Sequence, residues 1–335
     1  MAPWFGGLDA RYAAIGQRAL GMHIDLVGTD AGLTRPVDHP LTLRLSARLA
    51  TPRALTGFLI ALRRLPGKAD LAVLDDTWDP RFILLWLLKS RRRALVVHDA
   101  RPHDLSNDHK HRWQRWLKAW GRRHTTHVIC FSRHVAKELD GTGQFPKLSR
   151  VDVITLLPEF AARPDGATPA ARYFLMPGRF SEYKNVPLVL EAWGLLPASI
   201  RDHYELRLAG AGSRMAGTTL PSGVSINDRR LDEGELAQLI AGATAVLVCY
   251  TQASQSGISS LASALGVPVI TTPVGGLSEY QPSTELIAAT PEQVVDAICA
   301  VISSGTLHRK RAAAFSAQRF AASSVARELQ VAWGR

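Results

Sequence analysis

Cysteine is scarce in this chain. Cys130, Cys249 and Cys299 are the only three in 335 residues, far apart and each in apolar company. An odd, scattered set excludes a disulfide framework, and no spacing suits a metal site. Buried, reduced thiols in a cytosolic protein are expected. Long apolar runs are also lacking. The longest, Phe82–Leu88, falls far short of the roughly 20 residues a membrane-spanning helix needs. The opening MAPWFGGLDARYAAIG has neither the basic start nor the apolar stretch of a signal peptide. The expectation is a cytoplasmic chain, soluble or at most peripheral at the inner face of a membrane. Acidic residues are the minority: 29 Asp and Glu against 40 Lys and Arg leave a net charge of +11. That surplus favours an anionic partner, whether nucleotide phosphate, nucleic acid or an acidic membrane surface. No nucleic-acid module is recognisable, so nucleic acid is not expected as a partner. Low-complexity tracts and repeats of solenoid period are absent.

What is present is a regular alternation. Short apolar runs at His23–Val27, Leu71–Leu74, Ala94–Val97 and His127–Phe131 read as strands, and Ala54–Leu65 and Trp113–Trp120 between them as helices. Strands alternating with helices imply βαβ units and a parallel sheet. The pattern pauses at LLPEFAARPDGAT, residues 156–168, whose prolines and glycine mark a linker. It restarts with strands at Tyr173–Met176, Tyr204–Leu208, Val224–Ile226, Ala245–Cys249 and Val267–Thr271, and helices at Val186–Leu196, Leu236–Ala241 and Ser259–Leu265. The fold class expected is α/β, two Rossmann-like domains facing a cleft. Residues 1–160 would form the first domain and 165–316 the second. The last helix, Ala317–Trp333 within 317–335, would cross back to the first. Gly6 and Gly7 form a candidate glycine-rich turn, but five preceding residues are too few for a strand. Either that strand is vestigial or it begins upstream of Met1.

Two segments carry chemistry. FLMPGRFSEYKNVPLVLEAW, residues 174–193, is an apolar strand ending in Pro177-Gly178, then a loop framed by Arg179 and Lys184, then a helix. A strand end, a turn and two cations suit a diphosphate. Fixed cations stabilise the charge a diphosphate gains as a leaving group, without a metal. A solvated loop with two surface charges is the alternative. The second segment is VLVCYTQASQSGISSLASALGVPVITTPVGGLSEY, residues 246–280. A strand ends at Tyr250, and a polar loop runs from Gln252 to Gly257. Ser254, Ser256 and Gly257 suit a helix start that offers backbone N–H groups to an anion. A GxP turn, a short strand and Gly275-Gly276 follow.

In that order, residues 174–280 resemble the C-terminal half of GT-B glycosyltransferases of the retaining family-4, or group 1, type. GRFSEYKN is similar to the family's strand-end motif with Arg and Lys, and LRLAGAG, residues 206–212, to its second strand end. SQSG with ALGVPVITTPVGG resembles a variant donor loop. The resemblance implies that Arg179 and Lys184 bind the donor diphosphate. It makes Gln252, Ser254, Ser256 and Gly257 the donor loop and helix start, and Gly6 and Gly7 donor-binding residues of the first domain. His98, in VVHDARPHD, matches a strand-end histidine near the donor sugar and is the candidate catalytic residue; a structural histidine satisfying its loop is the alternative. The implied function is transfer of a sugar from a nucleotide-sugar to a hydroxyl of a glycan or lipid-linked acceptor, with retention. The nucleotide-sugar is a co-substrate, with no cofactor and no metal. The family's two glutamates fall at Ala253 and Leu261 here. That departure supports a rival reading, a non-catalytic glycosyltransferase-like partner in a glycan-assembly complex.

One stretch is left over. In KHRWQRWLKAWGRR, residues 110–123, Trp113, Trp116, Leu117 and Trp120 share a helical face, with Lys110, Arg112, Arg115 and Lys118 on the rest. It reads either as core packing with a solvated basic face or as an interfacial helix on an anionic membrane. FILLWLLKSRRR, residues 82–93, adds apolar residues beside Arg91, Arg92 and Arg93.

Overall fold

The computed structural model describes residues 6–29, 43–45, 52–65, 67–75, 79–100, 112–158, 172–212 and 220–334. The chain divides into two compact units. Residues 1–159 and 322–335 make the first, and 160–321 the second.

The first unit contains α1 (Gly6–Leu20), β1 (Val27–Thr29), β2 (Leu43–Leu45), α2 (Pro52–Arg64), β3 (Ala69–Asp75), α3 (Pro80–Leu88), β4 (Ser90–Val97), α4 (Arg112–Arg123), β5 (His127–Cys130), α5 (Arg133–Asp140) and β6 (Arg150–Val153). Strands β3, β4, β5 and β6 form a parallel sheet in chain order, and β1 pairs with β2 in parallel. Parallel strands buried on both faces need continuous apolar runs. Leu95, Val97, Val128 and Cys130 supply them, packed with Phe82, Leu85 and Trp86 of α3. Asp79 starts α3 by accepting from the Arg81 N–H, with Pro80 in the first turn.

The second unit contains β7 (Tyr173–Pro177), α6 (Val186–Leu195), α7 (Ala198–Arg201), β8 (Glu205–Ala209), β9 (Val224–Asn227), α8 (Glu233–Gly242), β10 (Ala245–Val248), α9 (Gly257–Ala264), β11 (Val269–Thr271), α10 (Pro291–Ser303) and α11 (Leu307–Arg319). Its sheet is parallel throughout, in the order β11-β10-β7-β8-β9. Apolar clusters lie on both faces. One gathers α6 and α10 around Trp193, the other gathers α8 and α9 around Ile240 and Leu261. This is a doubly wound, Rossmann-like sheet. The chain runs outward from β7 through β8 to β9, then returns to place β10 on the other side of β7. The order therefore reverses between β7 and β10, and open α/β sheets bind ligands at the carboxyl ends of the strands beside such a switch.

The final helix, α12 (Ala322–Trp333), belongs to the first unit. It packs on α1 and β6 through Val325, Ala326, Leu329 and Ala332. The Glu328 carboxylate accepts from the Thr155 N–H at 2.6 Å and its hydroxyl at 3.0 Å. Arg92 and Arg150 donate to the carbonyls of Gly334 and Val331 at the helix end, where cations suit the dipole.

Three expectations change. A single helix over Ala317–Trp333 is replaced by two, because α11 stops at Arg319 and α12 starts at Ala322. The apolar residues continue across the break, which hides it from periodicity. The first strand lies at Val27–Thr29, later than His23–Val27, with residues 21–26 irregular after the positive φ of Gly21. Gly6 and Gly7 are the first two residues of α1 and form no turn after a strand.

Candidate donor and sugar sites

In the second unit the site is built at the switch. β7 ends in Pro177-Gly178, and Gly178 has φ of +107°, open to glycine but costly for other residues. A Cβ there would sit 3.2 Å from the Lys184 Nζ. Gly210, at the end of β8, has φ of +142°, and a Cβ on it would fall 2.1 Å from the Gly178 carbonyl oxygen. The PG and AG strand ends of the two motifs are thus fitted against each other, with the Gly178 N–H donating to the Ala209 carbonyl at 2.9 Å. A 3₁₀ turn at Glu182–Lys184 then leads to Asn185, the one non-glycine residue with positive φ (58°) among those described. Asparagine tolerates that left-handed conformation better than most residues. It redirects the chain into α6 and leaves Lys184 turned inward.

Lys184 is buried, at 5% exposure, while Arg179 is exposed. The Lys184 ammonium donates to the Tyr250 hydroxyl at 2.5 Å. It also lies 4.2 Å from the centroid of that ring. Burial brings the Lys184 pKa down to about 8, and the Arg179 charge pushes in the same direction. Across the switch, Tyr250 follows β10 and is itself buried. Burial raises its phenol pKa above the ordinary value, offset in part by a hydrogen bond with the Ser256 hydroxyl. Ser256 caps α9, accepting from the Ser259 N–H at 3.3 Å. Gly257, the first residue of α9, is exposed and faces open space where a Cβ would lie. The two motifs, 66 residues apart at Lys184 and Tyr250, meet here. Ser254 is buried and its carbonyl accepts from the Gly276 N–H at 3.2 Å, tying the donor loop to the Gly-Gly loop that precedes Glu279. Gln252 is exposed. Ala253 and Leu261 are buried in the core cluster around Ile240, so these two positions face packing.

In the first unit, β3 and β4 deliver Asp75 and His98 to adjacent strand ends. His98 Nε2 lies 2.7 Å from Asp75 Oδ1. The imidazole also rests against Phe131, with ring centroids 5.1 Å apart, and Phe131 stacks with Tyr12 of α1 at 6.0 Å. Asp9 of α1 joins the group. Burial holds its carboxyl well above the usual range, and the nearby Asp75 charge adds to the effect. The chain just after His98 is held at Ala100: the Gln144 amide donates to the Ala100 carbonyl at 3.3 Å, and Arg122 donates to Gln144. Sequence reasoning missed Asp75, Asp9 and Tyr250. An Asp that ends an apolar strand was the available signal for Asp75; nothing local marks the other two.

The Trp-rich segment is divided. Trp120 packs on the first-unit core, Trp116 is 66% exposed, and the Trp113 side chain lies outside the described residues, as do Lys110 and the side chains of Arg112, Arg115 and Lys118. Arg91, Arg92 and Arg93 belong to β4, with Arg93 over the Trp86 ring. Among the described residues no helix is long and apolar enough to cross a membrane.

Comparison with known proteins agrees with the architecture. Residues 171–304 match the model of the family described as Glycosyl transferases group 1. No curated protein matches the chain in sequence. Among solved structures, sucrose-phosphate synthase from Thermosynechococcus elongatus is similar, with a TM-score of 0.67 and 17% identity over 97% of this chain and 92% of that one. HepE from Anabaena, solved with UDP-glucose, gives a TM-score of 0.62 and 14% identity over 97% and 94%. WaaG, a glycosyltransferase involved in lipopolysaccharide biosynthesis, gives 0.57 and 15% over 98% and 95%. The chain has the GT-B fold of two Rossmann-like domains, and within it residues 171–304 match the Glycosyl transferases group 1 model.

Proposed function

We propose that this protein transfers a sugar from a nucleotide-sugar donor to a hydroxyl of a glycan or lipid-linked acceptor, with retention at the anomeric carbon. The observation that carries the reading is the Lys184 cation at the carboxyl edge of the second-unit sheet, beside the N-terminus of α9 and on the same loop as Arg179. A diphosphate accepting from both cations and from the first N–H groups of α9 would have its developing charge met as the glycosidic bond breaks. UDP and UDP-glucose bound to the structural neighbour HepE support a nucleotide-sugar as donor. In the first unit, His98 is proposed to contact a sugar hydroxyl, with Asp75 fixing the ring. Gly6 and Gly7, at the start of α1, are proposed donor contacts from that unit, and Gln252, Ser254, Ser256 and Gly257 from the second. The cations stand in for a metal, so transfer is expected to survive chelation.

The test is direct. Arg179→Ala and Lys184→Met should each weaken nucleoside-diphosphate binding by about 1.5–3 kcal/mol, the scale of a hydrogen bond to a charged group. Wild-type affinity in both variants refutes the diphosphate assignment. Metal-reversible loss of transfer with EDTA refutes metal independence. The apolar burial of Ala253 and Leu261 favours one rival, a non-catalytic partner in a glycan-assembly complex. Release of sugar from a panel of nucleotide-sugars separates the two, since only the enzyme hydrolyses or transfers.

A second proposal concerns location. Trp116 stands exposed on α4, and α2 exposes Leu55, Leu59 and Ile60 beside Arg63 and Arg64, with no acidic residue in that helix. Apolar side chains among arginines suit the interface of an anionic membrane. The protein is therefore proposed to be cytoplasmic and peripheral.

A further inference from the structure

Tyr250 has no part in the chemistry described so far, yet its surroundings fix it on every side. Its carbonyl accepts from the Thr272 hydroxyl at 2.6 Å. The next residue, Thr251, donates its N–H to the Tyr183 carbonyl at 2.8 Å, tying the β10 loop to the β7 loop. The Tyr183 ring meets the Tyr250 ring edge-on at 5.4 Å. With both backbone and ring held, the phenol oxygen accepts from the Lys184 ammonium, and the Ser256 hydroxyl lies close enough to act on it. A buried ammonium with no acceptor is costly, and a four-carbon stem has many rotamers in which to escape to water. The phenol oxygen supplies that acceptor at the position where the sheet order reverses.

We propose that Tyr250 is the positioning residue of the donor site: its hydroxyl holds the Lys184 ammonium and joins it to the Ser256 cap of α9, setting the two anion-binding groups of the switch at one fixed separation. This rests on the reading that Lys184 receives the donor diphosphate. Preorganisation of this kind acts through affinity, because the free protein already holds the cation where the ligand requires it. Phenylalanine keeps the ring and the packing but removes the acceptor and the link to Ser256.

The experiment measures UDP, GDP and ADP binding by calorimetry across pH 6 to 10 for wild type, Tyr250→Phe, Ser256→Ala, the double variant and Lys184→Met, with thermal melting to confirm folding. Tyr250→Phe should bind the tightest of these diphosphates about 10-fold more weakly. The pH at which its affinity is half lost should also move downward, since the amine loses an acceptor that favours its charged form. Arg179 and Tyr183 are the other charged or titratable groups acting on that amine, and both remain in place. Because the hydroxyls form one chain, Tyr250→Phe and Ser256→Ala should be non-additive. If Lys184→Met loses affinity while Tyr250→Phe keeps the wild-type affinity and pH midpoint, or the two hydroxyl deletions add, the role of Tyr250 is overturned and the diphosphate reading stands. If Lys184→Met binds like wild type, the diphosphate reading falls, and this proposal with it.

Discussion

The imidazole of His98 and the carboxylate of Asp75 are joined at 2.7 Å across the ends of neighbouring parallel strands. The register of β3 on β4 pairs Asp75 with Val96, two residues before His98, so the contact follows from the sheet itself. His98→Ala is expected to lower kcat about 10²-fold, as loss of one group aimed at developing charge or a sugar hydroxyl does. Asp75→Ala should cost about 10-fold, the lower end of a hydrogen bond to a charged group. Steady-state transfer assays with melting curves check both. Equal activity in all three proteins would return His98 to a structural role.

Protonation of Lys184 should be visible in binding. Its pKa is lowered to about 8 by burial, so above that pH most of the free protein carries a neutral amine. A diphosphate needs the charged form, so binding at pH 8.5 should take up a fraction of a proton from solvent, and binding at pH 6.5 almost none. Calorimetry in buffers of different ionisation enthalpy reads the difference. The stability linkage has the opposite sense: the unfolded lysine, with its higher pKa, binds more protons between pH 8 and 10.5, so this residue's cost to folding shrinks as pH rises through that window.

Gly210→Ala tests the fit of the strand ends. The new methyl would overlap the Gly178 carbonyl, on a backbone with φ of +142° that alanine rarely adopts. Destabilisation of at least about 3 kcal/mol is expected, combining strain with displaced backbone. Denaturant unfolding measures it. A loss below 1 kcal/mol, on that same rough scale, would mean that the loops move apart freely.

Anionic vesicles should retain the protein at low salt and release it as salt rises, because screening shortens the reach of each charge. Arginines near such a surface contribute about 1 kcal/mol each. Trp116→Ser and the pair Arg63→Ser with Arg64→Ser should weaken co-sedimentation, and neutral vesicles should retain little. Wild-type protein that stays in the supernatant with anionic vesicles at low salt would remove the peripheral proposal and leave the donor site untouched.

The second unit was largely legible in the sequence. Strands β7 and β10 are unbroken apolar runs, Gly178 and Gly210 close β7 and β8, and Ser256 marks a helix start by capping chemistry that needs no tertiary context. The first unit was less so. Its opening strand has only three residues, and Gly6 and Gly7 before it open a helix. Arg179 and Lys184 could be named because both lie within one motif. Tyr250 could not, since its value depends on a contact 66 residues away that only the strand order creates. The same holds for Asp75, brought to His98 by a lateral pairing of strands. The break between α11 and α12 escaped because Phe320 and Ala321 carry no glycine or proline to announce it.

The chain passes between its two units twice, at residues 159–160 and 321–322. The second unit is therefore an insertion within the first, and synthesis runs against the order of the domains. All of residues 160–321 leave the ribosome before α12, the piece that covers α1 and β6. A nascent chain can complete its second unit while its amino-terminal unit still exposes the surface around Gly16 where Trp333 will seat. The first half to be made is the last to be finished, and it is the one a chaperone would need to guard.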